Sequence, residues 1–229
     1  MAAEAEKTQD AGRDQVMVTP EIGERLRAAR TARGIGVRAL SRLIGVSGST
    51  VSQIELGNVM PSVATLYRLV SVLQISMDDL FAVDAPPDGA AAPSEGGRPR
   101  AADGPKSPVV RRDARPSIKL ASGVRWERLS NVADANVEFI WSRYDAQGES
   151  CPEDALIRHG GKEFGYVQTG RLGVTIGFET YELEPGDSIS FQSTQPHRFF
   201  ALDDKPAEVL WVVIDRHGDD RGSSAADPA

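Results

Sequence analysis

The chain has 229 residues, a 40% hydrophobic fraction and a formal net charge of −7, enough for one or two domains of about 100 to 200 residues with real cores. No apolar run approaches the roughly 18 residues that cross a bilayer. The first twenty residues carry four acids and no apolar stretch, so they do not read as a signal peptide, and a cytoplasmic protein with no membrane partner is expected. A single cysteine, Cys151, rules out an intramolecular disulfide, and nothing near it in sequence marks it as reactive.

The acidic balance argues against a nucleic-acid partner until its distribution is considered. From Thr19 to Val83 there are seven arginines against five acids, and from Arg25 to Arg42 six arginines and no acid. From Ser117 to His217 there are ten basic residues and sixteen acids. One half suits phosphate and the other repels it.

Composition divides the chain into five parts. Residues 1–18 and 218–229 are polar and are expected to be disordered, and 84–116, rich in Pro, Gly, Ala and charge, is expected to be a flexible linker. Between them lie an all-helical unit, 19–83, and a strand-rich unit, 117–217.

In the helical unit Thr19 and Pro20 mark a helix start, with Ile22, Leu26 and Ala29 at helical spacing until Gly34. A second helix, "VRALSRLI", turns Leu40, Leu43 and Ile44 inward and stops at Gly45. A third follows Ser47, a plausible N-cap, with Val51 and Ile54 inward and Gly57 at its end. "PSVATLYRLVSVL" buries Val63, Leu66, Leu69, Val70 and Leu73, and "SMDDLF" opens on a Ser76/Asp79 capping box.

The tight Gly45-Val46-Ser47 turn between two short amphipathic helices is a helix-turn-helix signature. With "GVS" at the turn, "IE-x-G" closing the third helix and "PS-x-x-TL" opening the fourth, the unit resembles the phage-repressor-like, or XRE-type, helix-turn-helix family. That resemblance implies that the third helix enters the major groove of double-stranded DNA. Its outward residues Gly48, Ser49, Thr50 and Gln53, with Ser47 at the turn, are then the reading positions, and Gln53 has the amide that pairs bidentately with adenine. Arg38 and Arg42, and Arg25 to Arg33 on the first helix, are expected to make phosphate or structural contacts. A homodimer on a roughly palindromic site follows from the same resemblance.

From Ile118 onward eight short strand-like segments, "VRWERLS", "VEFIWSRY", "EFGYVQTG", "RLGVTIG", "ETYELEPGD", "SISF", "HRFFAL" and "EVLWVVID", are separated by Gly, Pro and Asp turns, which indicates a sandwich or barrel. "HGGKEFGYVQTG" and "EPGDSISFQSTQPH" resemble the two motifs of the cupin family, a small jelly-roll barrel. The resemblance implies three histidines and a glutamate as metal ligands. Here Ile157 stands at the first histidine position and Ala201 where an asparagine commonly follows the last. His159, Glu163 and His197 remain, a two-His, one-carboxylate set that can hold a divalent metal with open positions. The alternative is a metal-free pocket in which the same groups orient a ligand. Tyr166 and Phe199 are the expected pocket-facing aromatics, and His217, beside the tail, is expected to be solvated.

The two halves together suggest a transcription regulator, not an enzyme, whose cupin unit dimerises and senses a small-molecule effector. Two readings compete with it: a metal-dependent cupin dioxygenase or isomerase fused to a DNA-binding domain, and a barrel that serves only to dimerise.

Overall fold

The computed structural model describes residues 19–81, 108–131, 134 and 136–216. The expected disordered ends, most of the linker and His217 lie outside them.

Five helices form the N-terminal head: α1 (Thr19–Ala32), α2 (Val37–Ile44), α3 (Gly48–Glu55), α4 (Val63–Leu73) and α5 (Met77–Phe81). Their ends follow local chemistry. Gly45 closes α2 in the left-handed region at φ 71°, where a side chain would be strained. The Thr50 and Thr65 amides donate to Ser47 Oγ at 3.0 Å and Ser62 Oγ at 3.2 Å, capping α3 and α4. The capping box before α5 forms in both directions, Ser76 N–H to Asp79 Oδ2 at 2.8 Å and Asp79 N–H to Ser76 Oγ at 3.0 Å.

Leu43 departs from expectation. It is 63% exposed while Ser41 is buried, because the inward stripe of this two-turn helix runs through Leu40, Ser41 and Ile44, leaving Leu43 on its edge.

Gly23 lets α1 and α3 touch: a Cβ there would lie 2.5 Å from the Ile54 carbonyl oxygen. Beside that contact Arg30 grips Glu55 through Nε and Nη2, the latter 2.8 Å from Oε2, and gives Nη1 to the Ile35 carbonyl at 2.9 Å. Both residues are buried, and the pairing raises the already high pKa of Arg30. The glutamate of "IE-x-G" thus ties α3 to α1.

Among the described residues the C-terminal half has nine strands where eight are expected. The additional one is β1 (Ser117–Leu120), followed by β2 (Val124–Arg128), β3 (Val137–Tyr144), β4 (Lys162–Thr169), β5 (Leu172–Ile176), β6 (Glu179–Leu183), β7 (Ser188–Gln192), β8 (His197–Ala201) and β9 (Ala207–Ile214). They form a six-stranded antiparallel sheet in the order β1-β2-β3-β9-β4-β7 and a three-stranded sheet β6-β5-β8. Alternation along β9 and β4 turns Trp211, Val213, Glu163 and Val167 inward. Gly165 leaves room for Trp211, whose ring would lie 2.5 Å from an added Cβ.

The end of the expected linker is ordered against the barrel. Arg112–Ala114 form a 3-10 turn, the Arg128 amide donates to the Pro116 carbonyl at 3.0 Å, and Arg115 lies 3.4 Å from Glu127.

Head and barrel share one contiguous hydrophobic cluster. The Ala121 amide, in the β1–β2 turn, donates to the Pro61 carbonyl just before α4 at 3.0 Å. One turn along α4, Tyr67 leaves the head and packs on Trp126, centroids 5.5 Å apart. A flexible linker alone would leave the halves loosely coupled; the packing of α4 on the barrel couples them.

Candidate DNA-reading face and candidate metal centre

Val51, Ile54 and Glu55 are buried, and Ser47, Ser49 and Gln53 are exposed on the opposite side of α3. The hydroxyls of Ser49 and Thr50 each lie 2.7 Å from Ser47 Oγ, so three hydroxyls cluster at the positive end of the helix. Gln53 Oε1 accepts from Asn58 Nδ2 at 2.9 Å, which holds the amide outward. Arg38 and Arg42 are exposed on α2, and Arg42 Nε donates to the Arg38 carbonyl at 3.2 Å. Three of the arginines between 25 and 33 make structural contacts: Arg30 pairs with Glu55, Arg25 bonds the Asp79 and Leu80 carbonyls, and Arg33 bonds that of Gln74.

In the barrel, His159 precedes β4, Glu163 points inward from β4, and His197 begins β8. One ligand atom from each lies within 4.8 Å of the others. Glu163 Oε1 is 2.9 Å from His159 Nε2 and 3.3 Å from His197 Nε2. Each imidazole directs Nδ1 at a carbonyl, Gly160 at 2.9 Å and Gln195 at 2.8 Å. A carbonyl only accepts, so Nδ1 carries the hydrogen, and a neutral ring then aims the Nε2 lone pair at the carboxylate. Both Nε2 atoms and Glu163 Oε1 are buried without a well-formed hydrogen bond among the described residues. Three electron-rich atoms meeting at one buried point require positive charge there, a proton or a metal cation.

Electrostatics agree with this. Burial opposes ionisation of Glu163, but its contacts with His159 and His197 and the charge of Arg216 outweigh burial and hold the carboxyl below its ordinary range. Burial pushes His197 down, toward the neutral form, against the pull of Glu163.

Ile157, at the usual position of the first histidine, is buried and pairs with His197 through two 2.9 Å backbone hydrogen bonds. Its backbone therefore holds the site while its side chain offers no ligand. Phe199 is inside, 4.4 Å from Trp211 and 5.4 Å from His197 between ring centroids. Tyr166 is outside and 46% exposed. It lies three residues from Glu163 on one strand, and an odd separation puts it on the other face. Cys151 is fully buried, and burial pushes its thiol up, the state of an unreactive cysteine.

Sequence reasoning missed the closure of the site. Tyr67 packs on His159 with ring centroids 4.9 Å apart, and the Arg216 guanidinium lies 4.0 Å over the Tyr67 ring while its Nη2 reaches Glu138 at 2.7 Å. Burial raises the Tyr67 hydroxyl far above its ordinary value. No periodicity signalled this closure: Tyr67 follows buried Val63 and Ala64 by one turn and reads as part of the head's own inward face.

The matches to known proteins follow the same division. A helix-turn-helix domain family matches residues 21–82, and the cupin domain family matches 144–213. Over 66 residues the chain is 38% identical to the uncharacterized HTH-type transcriptional regulator YazB of Bacillus subtilis, covering 90% of that protein and 29% of this one. It is 27% identical to the HTH-type transcriptional regulator PuuR of Escherichia coli over 179 residues, 77% of this chain and 85% of that one. The chain is a helix-turn-helix transcriptional regulator with a C-terminal cupin domain. The fold of the regulator also matches the crystal structure of an HTH_3 family transcriptional regulator from Vibrio cholerae, with a TM-score of 0.57 at 23% identity over 86% of this chain and 96% of that one. The regulator binds DNA through its head, and no helix among the described residues is long and apolar enough to cross a membrane.

Proposed function

We propose that the protein is a cytoplasmic, homodimeric, sequence-specific regulator in which the barrel senses a small molecule and passes its state to the reading head through α4. Ser49, Thr50 and Gln53 read base edges, Ser47 and the Gly48 backbone approach the phosphates, and Arg38 and Arg42 neutralise them. The observation that carries this reading is Tyr67: a residue of the DNA-binding head is packed on a histidine of the barrel's polar centre. A change at that centre therefore acts directly on a helix of the head.

The outer face of the six-stranded sheet supports the dimer. Phe139, Phe164 and Tyr166 are 38%, 38% and 46% exposed, and with Ile189, Leu210 and Val212 they line one apolar groove. An apolar patch of this kind on a soluble protein marks an interaction surface, and a two-fold axis through it would cover both copies.

His159, Glu163 and His197 would hold a divalent metal, which would supply the positive charge that their converging lone pairs require and leave open positions for a ligand atom. An enzymatic role has less support, because the relative matched over most of this chain is an HTH-type transcriptional regulator.

The test is a random-site selection with the full chain at moderate salt, followed by metal analysis of untagged protein purified without chelator. A recovered palindromic site, and about one metal per chain lost in a His159→Ala/His197→Ala variant, support the reading. No preferred duplex removes the assigned reading positions, and no metal in either protein removes the cation at the triad.

A further inference from the structure

A cavity of about 280 Å³ lies at the seam between α4 and the 156–160 loop, and His159 of the triad is part of its lining. It sits at the small end of the range for ligand sites. Leu43 and Val70 of the head and Leu156 and Ile157 of the barrel form its apolar walls.

Its charge is one-sided. Arg68, Arg158 and Arg216 line it and no carboxylate does among the described residues. Arg216 is the built element: 9% exposed, fixed by Glu138 and by the Tyr67 ring, with its Nε buried and without a hydrogen-bond partner among the described residues. Arg68 and Arg158 stand exposed at the rim and each gives one N–H to a backbone carbonyl, Arg68 to Ile44 at 3.3 Å and Arg158 to Thr194 at 3.0 Å. A buried guanidinium with an unused N–H, two more at the entrance and apolar walls between them match a carboxylate joined to a short hydrocarbon. Leu43, left on the edge of the α2 stripe, has a role as part of this wall.

We infer that the seam between head and barrel is the effector site, and that it takes a small organic carboxylate held by Arg216, Arg158 and Arg68. This rests on the sensing role proposed above and adds to it the place and chemistry of the ligand. A ligand there touches α4 and the barrel together, so it binds only one relative arrangement of the two well. That differential affinity is what any shift of the head requires.

The test is thermal denaturation of the full chain with a matched four-carbon set: butyrate, succinate, succinamide and butane-1,4-diamine. The two carboxylates are expected to give a saturable rise in Tm, about 5 to 10 °C at a hundredfold excess over Kd. In an Arg68→Gln/Arg158→Gln variant, both sites exposed, the unliganded Tm is expected to stay unchanged while affinity falls at least about tenfold. An Arg216→Lys variant that keeps the positive charge beside Glu138 is expected to weaken binding similarly, as the planar donor fork is lost. Stabilisation by the diamine or the amide equal to that by the carboxylates, or no stabilisation by either carboxylate, overturns the inference. The same ligands are then titrated into the complex with the selected DNA. Carboxylate binding without any change in DNA affinity keeps the seam site and removes the sensing role. A DNA response to the diamine or amide with no carboxylate response keeps sensing and removes this site.

Discussion

Replacing Tyr67 by alanine should separate the stability of the head from that of the barrel. The ring is stacked on Trp126 and His159 and lies under the Arg216 guanidinium at 4.0 Å. A desolvated cation–π contact contributes about 1 to 2 kcal/mol and an aromatic pair about 0.5 to 1.5 kcal/mol. Because Tyr67 is only partly buried, the lower halves of these ranges apply, and the loss is about 3 kcal/mol. At roughly 2 to 4 °C per kcal/mol for a chain of this size, Tm falls by about 6 to 12 °C. Tyr67→Phe keeps the stacking and loses the hydroxyl contact with Arg216, so it should cost about 1 kcal/mol. Scanning calorimetry of the full chain is the assay. Wild type is expected to unfold in one transition, and Tyr67→Ala in two or in one that is broadened and lowered. Two independent transitions in wild type, with Tyr67→Ala shifting neither by more than about 2 °C, would refute the claim that α4 and the barrel are one energetic unit.

Within the head, Glu55→Ala strands the buried Arg30 and should cost about 3 to 5 kcal/mol, whereas Arg30→Met/Glu55→Leu should be near neutral; urea midpoints of the three proteins decide it. At the DNA face, Gln53→Ala is expected to relax discrimination at one base position by about 1 to 3 kcal/mol, while Arg42→Ala weakens all sequences alike and lowers the salt slope by about one; repeating the site selection and a salt titration separates them. In chelator-treated protein, stability should decline on acidification. His197 is depressed in the fold, so below about pH 6.5 the unfolded chain gains a proton that the native one refuses. Glu163 is also depressed, so its contribution, complete above its unfolded pKa, is lost as pH falls through the folded value. Both signs agree, and a denaturant-midpoint profile that is flat from pH 7 to 4 would contradict them. On the outer sheet, Phe164→Glu is expected to yield monomer in sedimentation with less than about 0.5 kcal/mol change in stability, since the ring is already partly exposed.

Much of this protein was legible in the sequence because its signals are local. Glycines 34, 45 and 57 have positive φ where helices end, and Ser47 and Ser76 cap α3 and α5, since a cap needs only the residues within one turn. The triad was legible only through the resemblance of "HGGKEFGYVQTG" and "EPGDSISFQSTQPH" to the cupin motifs, which implied His159, Glu163 and His197 as ligands. Strand β1 was missed because "SIKL" is too short for alternation to register. Tyr166 was misplaced because the face of a strand depends on parity, and one residue of error inverts it.

What only the tertiary structure decided lies at the seam. Tyr67, Arg68, Arg158 and Arg216 come from segments up to about 150 residues apart, and no periodicity or spacing links them. Their meeting depends on the angle at which α4 leaves the head and on the barrel mouth being open to receive an aromatic ring. Sequence carried the helix ends and most of the strands, each set by neighbours along the chain, and the ligand types through a family resemblance. The join of reading head to barrel depends on a match of two surfaces, and shape complementarity between distant segments exists only once both are folded.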